Sequence, residues 1–420
     1  MSEAEPLSLG QLSVWQDIRS LPDARRHEPN NAVAWPLPRG VDAPQVRAAV
    51  RAIAARHPSL RTRYDIRDAD APGQLPPDAD CQDALPAIED TSAAPAGLAA
   101  ELAREPFDLS GQHGWRARLL TRSGIPSHLL FVKHHIAADA WAQELLHQDF
   151  RQALTDPGQL SPLPPGPADL AAEQHSAAGL RRQAAALDHW SRLLDRAPTA
   201  GLPRPADAAG GVVQGTLHSG PARPAAQAVA ERARVSVASV VLAAYVRSVA
   251  RMCGTDALLV QLMSANRFGG RWKNLVTSMN QWVPALIEAA RNDDLVKLAD
   301  AVHWSSLGAV RHGMHDVTAV AALRARMPGA PEAACAFNYV AVPDRAPLDA
   351  LPHREPAPAH PPVLTWEEPF TTIGPRCYAR ALESDDALTV RLTAKDLGQE
   401  WCAALLWDLH ESLLTAAGSH

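Results

Sequence analysis

The chain has 420 residues, 46% of them hydrophobic, enough for a large core and for two or more lobes. A formal net charge of −6 argues against a nucleic-acid-binding face. The 36 prolines and 24 glycines are dispersed rather than periodic, which excludes a collagenous repeat and points to a loop-rich globular protein.

In chain order, "DAPQVRAAVRAIAARHPSLRTRYDI" predicts a helix with Val46, Val50, Ile53 and Ala54 on one face, then a short strand near Leu60 to Ile66. "WRARLLTRSGIPSHLLFVKHH" predicts a hairpin, its two apolar strands flanking "RSGIPS", where Gly and Pro supply turn chemistry. "AWAQELLHQDFRQAL" follows as an amphipathic helix. "PGQLSPLPPGPADL" is the clearest break and predicts a linker. Beyond it, "LRRQAAALDHWSRLL" is helical, and "VSVASVVLAAYVRSVARMCG" is an apolar helix stopping at Gly254. "DALLVQLMSANR", "CAFNYVAV" and "LTVRLTAKDL" predict strands. "DRAPLDALPHREPAPAHPP" is a Pro-rich excursion, and "EWCAALLWDLHESLLTAA" a closing helix. Strands and helices alternate in both halves, which predicts two α/β lobes.

The five cysteines, Cys81, Cys253, Cys335, Cys377 and Cys402, are odd in number, and no two have metal-ligand spacing. Neither a disulfide framework nor a metal site is expected, and a reducing, cytoplasmic setting fits best. "MSEAEPLSLGQLSVW" lacks the basic and apolar regions of a secretory leader. No apolar run approaches the roughly 18 residues of a membrane span, so no membrane partner is expected.

The chemistry concentrates in "FVKHHIAADAW" (Phe131 to Trp141), where His134 and His135 end an apolar strand and Asp139 lies in the loop that starts the next helix. A neutral imidazole there can take a proton from an amine or hydroxyl attacking a carbonyl, since its ordinary pKa is about 6.5. The aspartate can hold an imidazole tautomer or pair with an arginine and fix the loop. Arg267 in "SANRFGG" follows a strand end and could supply that partner. From the residues alone a purely structural histidine pair fits as well. Zinc fits poorly, because a third ligand would have to come from a facing element. The sequence contains no G-x-S-x-G elbow and no phosphate-cradling glycine loop.

Taken together, these segments resemble the condensation domains of nonribosomal peptide synthetases, within the chloramphenicol-acetyltransferase-like superfamily. "LSLGQLSVW" resembles the opening S-x-x-Q-x-x-x-W pattern through Ser8, Gln11 and Trp15. "RHPSLRTRY" (Arg56 to Tyr64) resembles R-H-x-x-L-R-T-x-F/Y, and "HHIAADA" resembles H-H-x-x-x-D-G except at Ala140. "PADLAAEQ", "SANR", "VTSMNQWVP" and "AFNYVAVP" follow in the family's order, with Asn280 kept but Val276 and Gln281 in place of the usual Gly and Thr.

The resemblance implies two chloramphenicol-acetyltransferase-like α/β lobes, 1–170 and 171–420, the second carrying crossover segments. They would form a V-shaped pseudo-dimer with a tunnel between them. His135 would be the general base or the group that positions the nucleophile, His134 mainly structural, and Asp139 and Arg267 an ion pair shaping the loop. The alternative for Arg267 is an ordinary exposed arginine. Arg56 and Arg61 would hold a helix–strand corner. Ala140, Trp141, Asn280 and Asn338 would line the tunnel, although for Trp141 a place in the core is the preferred reading. Ala140, in place of glycine, would narrow the channel or force a different backbone angle, changing acceptor choice.

The implied reaction is attack by an amine on an acyl or aminoacyl thioester carried on the phosphopantetheine arm of a carrier protein, as in secondary-metabolite biosynthesis. No cofactor would be bound by the chain itself. Nothing in the sequence resembles an adenylation or carrier module, so the carrier is expected in trans, with a small amine or second carrier-bound acceptor. The rivals are an ester-forming acyltransferase using an alcohol acceptor or a coenzyme A donor, and a non-catalytic docking module. Two intact histidines and the aspartate count against the docking module, and Ala140 and the altered region around Asn280 slightly for it.

Overall fold

The turn predicted at "RSGIPS" closes in two residues. In the computed structural model Ser123 (φ 50°) and Gly124 (φ 76°) both take the left-handed backbone, whose twist suits a tight hairpin. They join strand Trp115–Arg122 to strand Ile125–His134, antiparallel from the Trp115↔Lys133 pair to the Arg122↔Ile125 pair. Pro126, expected in the turn, is instead the second residue of the outgoing strand. It lies opposite Thr121, where the register shifts and a missing N–H is tolerated. The structure describes residues 4–79, 81, 86–156, 158, 160, 164–198, 201–203, 211–288, 290–327, 329–341, 361–369, 372–384 and 386–418. Most of the Pro-rich excursion at 344–362, and 157, 159 and 161–163 of the expected linker, lie outside them.

The chain divides into two units. The first is Met1–Ala184 with Ala265–Gln281 and Met314–Ala319, and the second is Ala185–Ser264 with Trp282–Gly313 and Val320–His420. The first unit thus runs past the expected boundary at residue 170 and takes in two segments that return to it from later in the chain.

In the first unit a four-stranded sheet runs in the order Asn30–Pro36, Ile125–His134, Trp115–Arg122, Ala87–Asp90. The first three strands are antiparallel and the last joins in parallel. Period two sorts the side chains onto its faces. Leu119, Leu129 and Phe131 cluster with Val46, Val50 and Ile53 of helix Ala43–Arg56 and with Leu146 and Phe150 of helix Ala140–Thr155. Leu120, Leu130 and Val132 cluster with Ala99 and Leu102 of helix Pro95–Ala103. Each such large side chain stabilises the fold by roughly 1.5–3 kcal/mol relative to exposure. With both faces covered, the next two positions in the alternation, Lys133 and His134, are carried inside at 1% and 3% exposure.

Helix Ala43–Arg56 opens on a capping box, in which the Asp42 carboxylate and the Gln45 side chain each accept the other residue's backbone N–H at 2.8 Å. It stops before Pro58, which disfavours helical backbone at His57. There the predicted strand is mostly a 3-10 turn, Pro58–Arg61, followed by the short strand Tyr64–Asp65. Arg56 and His57 both bond Asp149, at 2.7 and 2.8 Å, tying this helix to Ala140–Thr155. Arg61 donates to the carbonyls of Ala54, Ala55 and Asp78, the corner-holding role expected of it.

The second unit is built on a mixed seven-stranded sheet, in the order Gln281–Glu288, Ala257–Ser264, Cys335–Ala341, Cys377–Glu383, Leu388–Lys395, Val212–Ser219, Val363–Glu367. Its core gathers the predicted apolar helix, Val237–Cys253, with helices Ala222–Ala233 and Leu295–Val310 and with Leu405, Leu409 and Leu413 of the closing helix Gly398–Gly418. Gly254 ends the apolar helix with φ +66°, the left-handed stop that glycine takes without penalty. Among the described residues no single helix is long and apolar enough to cross a membrane.

Candidate active site

The histidine-bearing loop is held by its own carbonyls. Ile136 O accepts from the Tyr64 hydroxyl at 3.5 Å, Ala137 O from Ser59 Oγ at 2.6 Å, and Ala138 O from Lys133 Nζ at 2.7 Å. All three donors are buried, and each would leave an unpaired polar atom if its partner moved, at about 1–3 kcal/mol. Burial pushes the Tyr64 phenol up, so it keeps the proton it donates. Burial lowers Lys133 to about 8, with Asp139 opposing the shift. Gln11 Nε2 in turn donates to the Tyr64 oxygen at 3.5 Å, and Gln11 shares a capping box with Ser8 at the start of helix Leu9–Ile18. The opening motif, "RHPSLRTRY" and the histidine motif therefore form one hydrogen-bonded framework. Sequence reading missed Ser59, Tyr64 and Lys133. The available signal was a lysine in the otherwise apolar run "LLFVKHH".

His134 is buried and held in place by its neighbours. Its Nδ1 accepts the Ile136 N–H at 3.1 Å, and its ring meets Phe107 edge to face at 6.3 Å. Burial, with His135 and Lys133 nearby, lowers it to about 3, so it is neutral near pH 7.

Asp139 caps helix Ala140–Thr155, with Oδ1 accepting the Ala142 N–H at 2.8 Å. Oδ1 also accepts from Arg267 at 2.7 Å, and Oδ2 accepts the Met279 N–H at 3.0 Å. Burial alone would raise this carboxyl, but Arg267 and the two amides outweigh it and hold it below the usual range. Arg267 is thus not an exposed arginine but a buried ion-pair partner, and it also donates to Thr277 O at 3.2 Å. Asn266 turns the chain just ahead of it with φ 53°, a left-handed angle that asparagine tolerates. The Asn266 side chain is fixed by donation to Met279 O at 2.9 Å.

His135 leaves the strand with its N–H bonded to Pro29 O at 2.9 Å, and its side chain is partly exposed. Nδ1 lies 3.3 Å from Ser278 Oγ, and Ser278 Oγ donates to Asn280 Oδ1 at 3.1 Å. Nε2 has no hydrogen-bond partner among the described residues. Despite the partial exposure, dense surroundings and the Lys133 charge push the ring down to about 4, with Asp139 opposing. The segment carrying Ser278 lies so close to helix Leu9–Ile18 that a Cβ on Gly10 would sit 2.3 Å from Ser278 O, so this contact requires glycine.

Of the remaining expected site residues, Ala140 is exposed at the first position of its helix. Its φ is not among the positive ones, so the methyl group in place of glycine forces no unusual backbone angle. Trp141 is not in the core. It is 44% exposed, and its indole N–H donates to Lys273 O at 3.1 Å. Asn280 is beside His135 through Ser278, whereas Asn338 lies on strand Cys335–Ala341 of the second unit, donating to the Tyr378 hydroxyl at 3.3 Å. Among the described residues no three His, Cys, Asp or Glu side chains converge as a metal site.

Comparison with known proteins places this geometry in context. The family described as "Condensation domain" matches residues 6–323. Cyclosporin synthetase of Tolypocladium inflatum is 32% identical over 247 residues, 52% of this chain and 2% of that protein. The synthetase CymA of Salinispora arenicola, a probable non-canonical nonribosomal peptide synthetase, is 34% identical over 243 residues, 51% of this chain and 3% of its own. The chain therefore spans only a small fraction of these relatives. A structure describing condensation domain-mediated chain release from the enacyloxin polyketide synthase is 25% identical with a TM-score of 0.77, covering 100% of this chain and 85% of that one. The X-domain from teicoplanin biosynthesis, at 21% identity and TM-score 0.73 over 99% of this chain and 96% of that one, shares the fold. The mixed α/β architecture matches condensation-domain structures over the full length, and the chain belongs to the condensation-domain family.

Proposed function

We propose that the chain joins a carrier-tethered acyl or aminoacyl thioester to an amine, with His135 Nε2 facing the incoming nitrogen. The observation that carries this reading is a partly exposed histidine whose Nδ1 is engaged by Ser278 while Nε2 is left for a substrate, on a loop whose Ile136, Ala137 and Ala138 carbonyls are bonded. In the step proposed, the amine nitrogen attacks the thioester carbonyl carbon. The C–N bond forms, the C–S bond breaks, and the thiolate departs on the phosphopantetheine arm. That thiolate needs no prior protonation, because its ordinary pKa is about 8.5.

A ring held near 4 is too weak a base to deprotonate a free ammonium. It instead accepts a hydrogen bond from the neutral amine and takes the proton after attack, once the nitrogen carries positive charge and is far more acidic. Such a group contributes typically 10²- to 10⁴-fold, and holding both reactants in register supplies up to about 7–11 kcal/mol in ideal cases. The V-shaped pairing of lobes, the tunnel and its lining by Ala140, Trp141, Asn280 and Asn338 belong to this proposal. So do a carrier protein as partner, no bound cofactor, and a cytoplasmic location, which the five free thiols favour.

Intact-mass measurement of acyl-carrier proteins incubated with the protein and a panel of amines and alcohols tests it. Loss of the acyl group from the carrier, matched by its gain on an amine, is the expected result. Transfer to alcohols alone would replace amide with ester formation. Absence of transfer to every acceptor, from carriers and from coenzyme A alike, would leave the docking reading.

A further inference from the structure

A neutral imidazole carries one proton on two nitrogens, and only the tautomer with the proton on Nδ1 leaves Nε2 able to accept from an amine. The contacts around His135 bear on that choice. Ser278 Oγ lies 3.3 Å from Nδ1 and 3.1 Å from Asn280 Oδ1. A hydroxyl has a single proton, and Asn280 Oδ1 can only accept. When Ser278 donates to Asn280, its oxygen is left to accept, and the only proton available along the 3.3 Å contact is on Nδ1. Were Ser278 to donate to Nδ1 instead, Nε2 would carry the hydrogen and could only donate.

We infer that Asn280, acting through Ser278, is a positioning pair that fixes the His135 tautomer, directing the chain Nδ1–H to Ser278 Oγ–H to Asn280 Oδ1. Ser278 is fully buried, so no water competes for its proton. The segment that carries it is pinned by the Met279 N–H on Asp139, by Asn266 on Met279 O and by the close approach of Gly10. The Asp139–Arg267 pair therefore orients the histidine only indirectly, by anchoring the strip on which Ser278 and Asn280 sit.

This arrangement makes an order of severity that a structural role alone does not. Ser278→Ala removes the hydroxyl and with it both the acceptor that holds the Nδ1 proton and the donor that could displace it, so neither tautomer is imposed. Asn280→Leu, of similar volume, frees the Ser278 proton to turn onto Nδ1 and selects the wrong tautomer. Asn280→Leu is therefore expected to be the more damaging, and adding Ser278→Ala to it restores the level of Ser278→Ala alone. A destabilised double variant would be worse than either single change.

The inference rests on the reading of His135 as the group facing the amine, but its first readout does not need activity. In ¹⁵N-histidine-labelled protein at pH 7, with the His135 signals assigned by comparison with His135→Gln, the expected spectrum has a protonated Nδ1 and an unprotonated Nε2. In Asn280→Leu the pattern inverts, and in the double variant it returns to that of Ser278→Ala. With the acyl-carrier assay, kcat should fall about three- to tenfold in Ser278→Ala, and further in Asn280→Leu, with little change in KM. A protonated Nε2 in the unaltered protein, or no recovery in the double variant, overturns the inference. The expected tautomer in a protein that transfers no acyl group would overturn the proposed function and leave the assignment of the pair intact.

Discussion

Asp139 and Arg267 meet at 2.7 Å with both side chains only 2% exposed, although 128 residues separate them in the chain. The pair joins the helix that follows the histidines to the returning segment Ala265–Gln281 within one unit. Desolvating two charges costs several kcal/mol, which the pair offsets only while both partners and the Ala142 and Met279 amides are present.

Removing either partner should therefore be strongly destabilising. Arg267→Ala strands a buried carboxylate, and Asp139→Asn strands a buried guanidinium while keeping a good helix cap. Each is expected to lower unfolding free energy by about 3–5 kcal/mol, measured by urea denaturation. A loss below about 1 kcal/mol would mean that the pair is solvated.

The same carboxyl sets part of the acid sensitivity. Its folded pKa is depressed relative to the unfolded value of about 3.9, so its contribution is complete above that value and is lost as pH falls through the folded pKa. His134 and His135, lowered to about 3 and about 4, act in the same direction in a higher window. The unfolded chain binds more protons than the folded one from about 6.5 downward, so stability falls as pH drops from about 6.5 toward those values. Denaturation midpoints at pH 7.5, 5.5 and 4.5 should decrease in that order.

Catalysis should show the low pKa of His135 directly. The acid limb of kcat/KM assigned to this ring is expected near pH 4, and no histidine inflection is expected near 6.5. The groups facing the ring are Lys133 and His134 at the end of the preceding strand, Asp139 in its own loop and Ser278 from the returning segment. Lys133→Met removes a like charge, so the His135 titration followed by NMR should move up. An unchanged titration would show that burial alone sets the value.

Ala140 stands exposed where the family motif has glycine. Ala140→Gly should cost up to about 1 kcal/mol in stability and alter the ranking of acceptor amines in a competition assay. Equal rates and ranking before and after would show that the methyl group touches no substrate.

Much of this was legible in the sequence because it is local. Two apolar runs around a turn with Gly and Pro marked the hairpin, the adjacent histidines marked its end, and Gly254 marked the stop of the apolar helix. Asp139 at the head of the next helix and its partner Arg267 followed from the motif order. What escaped was long-range. Ser59, Tyr64 and Ser278 reach the loop from segments 60 or more residues away in sequence, and hydroxyls carry no periodicity that would announce it. Trp141 was misjudged for a reason visible in the chain. The buried stripe of its helix is Ala142, Leu146, Phe150 and Ala153, spaced by three or four, and Trp141 falls beside it.

The most direct measurement is the single-turnover rate of amide formation from a purified acyl-carrier protein and its accepted amine, compared between the unaltered chain and His135→Ala. A fall of about 10²- to 10⁴-fold with the fold intact is the predicted result. An undiminished rate in His135→Ala would contradict the account, because the imidazole nitrogen left free of protein partners would then have no part in moving the proton.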